Sequence, residues 1–152
     1  MYTATIEREI RIDAPIDVVW DVITNPKEIV KWFADEAEID LRPGGTGFLK
    51  FVEAGHLAPL EVVTVEPPHK FSYRWNQKKG EQASDNNSML VEFILSEDNG
   101  TTILHLVEGS LDAVAWSEDE KTEYFNDHTN GWTHFGDRLN AYILANKTSS
   151  AK

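Results

Sequence analysis

The sequence predicts an α+β domain: an antiparallel sheet of about six to seven strands curved around one long C-terminal helix, with two short helices after the first strand. Three observations predict it. An alternating N-terminal segment leads at once into two short helical patterns, separated by Asn25-Pro26. From Ala37 to Gly109 the apolar period is two throughout. After Ser117 the period becomes that of a helix and stays so almost to the end of the chain.

Each element can be justified in turn. Ile6, Arg8, Ile10 and Ile12 share one parity, and Glu7, Glu9 and Arg11 share the other, which makes a strand with one mostly buried face. Asp13 is placed to cap the following helix, and Pro15 to set φ for its first turn. Val18, Val19, Trp20, Val22 and Ile23 form that helix. Asn25-Pro26 ends it and starts a second one, which finishes in Ile29, Trp32 and Phe33. Six strand patterns follow: "AEIDL", "GFLKFVE", "LEVVTVE", "KFSYRW", "MLVEFIL" and "TILHLVE". They are bounded by Pro43-Gly44-Gly45, Gly55, Pro67-Pro68, a polar loop from Gly80 to Ser88, and Asn99-Gly100, a strong hairpin signal. Pro59 within its run indicates an edge or a bulge at that point.

Ser117 and Glu120 then form a capping box, and Glu118, Asp119 and Glu120 put negative charge where a helix N-terminus favours it. Phe125, His128, Trp132, Phe135, Leu139 and Tyr142 recur at helical spacing to about Asn146. The expected organisation is one domain over 1–146, with 147–152 a disordered tail. Gly131 and Gly136 interrupt the helix, and close packing against the sheet is the expected reason.

Composition narrows the function. The chain has 152 residues, with 14 Lys and Arg against 26 Asp and Glu, a net charge of −12. Such a surface repels phosphate backbones and anionic lipid, so neither nucleic acid nor membrane is expected as a partner. There is no cysteine, which removes disulfides, thiolate metal sites and cysteine nucleophiles. No apolar run reaches membrane-spanning length and the charged N-terminus lacks a signal-peptide core, so a cytoplasmic location is expected. The five histidines do not fall at metal-ligand spacing, and no metal or other cofactor is expected.

"DLRPGGTGFLKF" poses one sharper question. Gly44, Gly45 and Gly47 could cradle a phosphate, but that requires a helix directly after them and, in a P-loop, a Lys-Ser/Thr pair. A strand pattern follows instead. The glycines are expected to turn the chain.

The element order is that of the helix-grip plan, and the residues strengthen the likeness. "IRIDAPIDVVWDVITNPKEIVKWF", "DLRPGGTGF", "VVTVEPPHKFSYRW", "MLVEFIL" with "NGTTILHL", and "GWTHFGDRLNAYI" together closely resemble the START-like (SRPBCC, birch-pollen-allergen-like) superfamily. Arg42-x-Gly44-Gly45, Glu66-Pro67-Pro68 with Tyr73-x-Trp75, and Gly131-Trp132 resemble, within it, the family of the activator of Hsp90 ATPase homologue. The likeness covers about residues 3 to 145 and implies a cavity between the sheet and the last helix. Single-domain relatives of this kind are commonly bacterial, and the same is expected here.

What the resemblance implies for function is the binding of a small apolar or aromatic, lipid- or polyketide-like molecule. The residues expected to line the cavity are Trp32, Phe51, Tyr73, Trp75, Phe93, Phe125, His128, Trp132 and Phe135. An aromatic lining suits a flat ligand, although the same stripes also fill ordinary cores. His128 reads either as a polar anchor in the cavity or as a satisfied histidine between helix and sheet, with the second preferred. Arg8 and Glu108 fall on inward parity; Glu108, near a strand end, is expected to reach water, and Arg8 is left open as an anchor. One alternative is a chaperone-associated interaction domain, a monomer or weak homodimer. Another is a cyclase- or hydrolase-like enzyme using His128, Glu108 and Tyr73, for which no nucleophile–base set has recognisable spacing.

Overall fold

The computed structural model describes residues 5–52, 55–75 and 88–150, with backbone alone at residue 56 and over 146–150. The order is β1 (Ile6–Ile12), α1 (Ile16–Thr24), α2 (Pro26–Trp32), β2 (Glu36–Ile39), β3 (Thr46–Phe51), β4 (His56–Glu66), β5 (Lys70–Trp75), β6 (Met89–Asp98), β7 (Thr101–Gly109) and α3 (Glu118–Ser150). The seven strands form one sheet in the order β1-β7-β6-β5-β4-β3-β2, each pair antiparallel. The sheet is curved and the fold is helix-grip, as the sequence predicts.

Parity sets the inner face. Ile6, Arg8, Ile10 and Ile12 of β1 stand opposite Glu108, Leu106, Leu104 and Thr102 of β7. Phe71, Tyr73 and Trp75 stand opposite Phe93, Val91 and Met89. Most of these side chains are buried in one core, with Trp32 from α2 and Trp132, Leu139 and Ile143 from α3. The opposite parity faces outward, where Glu7 meets His105 and Arg11 meets Asp98.

The turn chemistry largely follows the sequence. Asn99 and Gly100 both take positive φ, 53° and 81°, as the expected two-residue hairpin requires. Gly44 has φ of 84°, while a Cβ on Gly45 or Gly47 would stand 2.0 Å from the carbonyl oxygen of Asp40 or Glu38. Those glycines permit close backbone approach in a turn. Asn25 caps α2 by accepting from the Lys27 N–H at 3.0 Å, with Pro26 in the first turn. Ser117 and Glu120 exchange the two hydrogen bonds of a capping box, at 3.1 and 3.2 Å.

Some expectations need correction. The N-cap of α1 is Pro15, whose side chain offers no acceptor, not Asp13 two positions earlier. Pro59 lies within β4 opposite Phe48, and the β4–β5 ladder begins one residue later, so Pro59 is laddered on one side only among the described residues. The bulge lies further on, between Val62 and Thr64. The backbone of α3 continues to Ser150, beyond the expected end near Asn146, because no glycine or proline stops it. A Cβ on Gly136 would come 2.8 Å from Ile10 Cδ1, so close packing explains that glycine. Gly131 has nothing within 4 Å of a built Cβ, and packing does not explain it. Residues 80–87 of the expected polar loop and the last two residues of the expected tail lie outside the described residues.

Candidate functional site: a caged carboxylate in an aromatic interior

Glu108 is the centre of the site. Its even parity in β7 turns it inward, and α3 crosses over it. The residue is 0% exposed. The expectation that it reaches water fails because the end of β7 lies beneath the first turns of α3.

Four donors converge on this carboxylate. Oε1 accepts from His128 Nδ1 and from Trp132 Nε1, each at 2.8 Å. Oε2 accepts from Trp75 Nε1 at 2.8 Å and from the Tyr124 hydroxyl. A carboxylate has about four lone-pair positions, so its accepting capacity is filled. Because an ionised carboxylate only accepts, His128 must carry its proton on Nδ1. Tyr124, His128 and Trp132 are spaced by four along α3 and form one stripe, which Trp75 of β5 meets from the sheet. The His128 ring stacks on Tyr124 with centroids 3.7 Å apart and meets Trp75 edge-on.

Electrostatics follow from this geometry. Burial pushes the Glu108 carboxyl up, but the His128 charge and the hydrogen bonds from His128, Tyr124 and Trp132 outweigh it and hold the carboxyl below its ordinary range. Burial, then the nearby Glu108 charge, push the Tyr124 and Tyr73 phenols well above their ordinary value. Tyr73 therefore stays a neutral phenol. Its hydroxyl is buried with no hydrogen-bond partner among the described residues. Arg8, left open by the sequence, also buries an unpartnered Nε on the inner face.

Eight of the nine expected lining residues fall into three groups, and Phe125 stands apart. Tyr73, Phe93 and Trp32 border an interior slot of about 10 Å³, roughly the room for one water. Trp32 is anchored there by its Nε1–H to the Val22 carbonyl at 3.0 Å. Trp75, His128 and Trp132 belong to the Glu108 cage. Phe51 and Phe135 instead border an outer cleft of about 370 Å³ between α2, β3 and α3, and Phe125 is partly buried against the core. Phe33 borders both the slot and the cleft. Sequence reasoning missed Tyr124 and Phe33. The 124–128–132 spacing could have shown Tyr124, but Phe125 fits the helical stripe as well and drew the assignment. Among the described residues no group of three His, Asp or Glu side chains converges to hold a metal. Among the described residues no helix is long and apolar enough to cross a membrane.

Comparison with known proteins adds a family to this geometry. The family described as Activator of Hsp90 ATPase homolog 1-like protein matches residues 13–143. The chain belongs to that family. Protein MLL2253 from Mesorhizobium loti is 22% identical, over 93% of this chain and 97% of that one, with a TM-score of 0.77. The crystal structure of CalU16 from Micromonospora echinospora is 29% identical, over 95% and 79%, with a TM-score of 0.70. The Aha1 dimer from Colwellia psychrerythraea is 17% identical, over 91% and 95%, with a TM-score of 0.74. No curated protein matches the chain. The Activator of Hsp90 ATPase homolog 1-like match takes in α1, α2, the sheet from β2 to β7 and most of α3, and so includes the whole Glu108 cage.

Proposed function

We propose that the protein binds a small, largely apolar or aromatic molecule between the sheet and α3, with Tyr73 as its polar contact. The observation that carries this reading is the buried Tyr73 hydroxyl, without a hydrogen-bond partner among the described residues, on a side chain that borders an aromatic slot. A buried hydroxyl left unsatisfied costs about 1–3 kcal/mol, and a ligand carbonyl or hydroxyl oxygen would satisfy it. Because the phenol remains protonated, it offers a donor, so the ligand carries an oxygen acceptor on a flat apolar body. Glu108 supports the site. With its lone pairs filled it holds Trp75 and Trp132 in place, and it has no free position for general-base work. Opening the slot requires its aromatic walls to turn or α3 to shift.

The test pairs stability with binding. Tyr73→Phe should raise the melting temperature, because it removes an unsatisfied buried group. The same variant should lose at least about tenfold in affinity for the best binder found by native mass spectrometry and ligand-observed NMR with lipids, flavonoids and polyketide-like aromatics. A well-folded protein that binds nothing in that panel, or a Tyr73→Phe protein that binds as tightly as the parent, would remove this reading.

The tightness of the slot, about 10 Å³, favours a second reading. In it the domain acts through its surface, in association with an Hsp90-type chaperone. Stimulation of such a chaperone's ATPase by the purified protein, unchanged in Tyr73→Phe, would be its signature.

A further inference from the structure

The outer cleft differs chemically from the interior. Its floor is a trio of phenyl rings: Phe33 meets Phe135 edge-on at 4.9 Å and Phe51 edge-on at 5.3 Å, and Phe51 lies 6.2 Å from Phe135. Its volume, about 370 Å³, lies within the usual range for small-molecule sites. The polar residues at its rim are Asp35, His134 and Arg138. The Asp35 carboxylate is already engaged, accepting from the Val52 N–H at 2.7 Å. Among the described residues the Arg138 side chain has neither an ion pair nor a hydrogen bond. Arg11, Arg42, Lys50 and Lys70 each already hold a carboxylate, whereas Arg138 is free to take one from outside the chain. His134 packs edge-on against Phe135 beside it.

We infer that this cleft is a binding site for an amphipathic carboxylate, an aromatic or short acyl body on the Phe33–Phe51–Phe135 floor with its anionic end on Arg138. A guanidinium offers a planar fork that suits a carboxylate. The rings exclude water from one side of that pair and so strengthen it. The net charge of −12 disfavours anions over the surface as a whole, so an anion bound here depends on a local cation. Selectivity for a carboxylate therefore resides in one side chain. The site does not depend on the interior reading, although Phe33 is the wall common to both.

The test uses two probes with one ring system, sodium 2-naphthoate and 2-naphthalenemethanol, titrated into isotopically labelled protein. For the parent protein, 2-naphthoate should shift the backbone amide signals of residues 30–35, 51 and 134–138 along a saturable isotherm. Arg138→Gln should weaken 2-naphthoate at least about tenfold and the neutral alcohol less than about twofold. Arg138 is exposed, and an unchanged melting temperature would show that the variant folds. Equal weakening of both probes, no weakening, or no saturable shift below about 10 mM would overturn the proposal. Shifts confined to the Trp75 and Trp132 indole signals would place the carboxylate in the interior, overturning this site while supporting the interior one. Cleft shifts with silent indoles would leave this site standing whatever becomes of the interior reading.

Discussion

At the scale of single residues, Glu108 carries the most consequence. Glu108→Ala leaves two indole N–H groups, a phenol and a histidine buried around an absent acceptor, and should cost about 3–5 kcal/mol in chemical denaturation. The pH dependence has a definite sign. The folded carboxyl titrates below its ordinary value of 4.5, so its stabilisation is fully present above that value and is lost as pH falls through the folded one. The gap between parent and Glu108→Gln should therefore narrow as pH falls below the ordinary carboxyl value of 4.5; a gap that widens there would contradict the assigned charge state. Little of this was legible in the sequence. Parity put Glu108 on the inner face, but whether a strand end meets water depends on what crosses it. Here the crossing element is α3, and β5 contributes Trp75 from 33 positions away.

At the scale of elements, α3 separates two kinds of glycine. Gly131 sits in a helix with open space where its Cβ would be, so Gly131→Ala should stabilise by about 0.5–1 kcal/mol. Gly136 faces Ile10 Cδ1, and Gly136→Ala should instead destabilise by about 1–3 kcal/mol. Shortening the neighbour by Ile10→Val should recover most of that loss, since the pair is in contact and the two changes are not additive. A thermal denaturation series over the four proteins decides it. Both glycines looked alike in the sequence, because helical spacing does not say which face lies against β1. The strands, the Asn99-Gly100 hairpin and the Ser117–Glu120 box were legible because each rests on neighbours a few positions apart. The Asp13 cap failed on the same local scale: Pro15 took the position before the helix.

At the scale of the whole molecule, the charge of −12 opposes compaction. Raising salt from about 10 to about 150 mM shortens the screening length from about 30 to about 8 Å, and the melting temperature should rise. A fall would mean that outer-face pairs such as Arg11–Asp98 outweigh self-repulsion. The fold was legible at this scale because element order and period survive without any long-range information. The 370 Å³ cleft was not, since it is formed where α2, β3 and α3 meet.

The Glu108 cage also has a history in time. Its donors come from β5 and from three turns of α3, and its acceptor from β7, so it cannot assemble until the sheet exists and the last helix has settled upon it. A cage that needs both the finished sheet and the docked helix is expected to close on the native side of the folding barrier. Weakening the cage should thus leave the refolding rate nearly unchanged and quicken unfolding. The buried charge acts as a latch on the finished molecule: it sets how long the helix stays in the grip of the sheet, and has little say in how fast it arrives there.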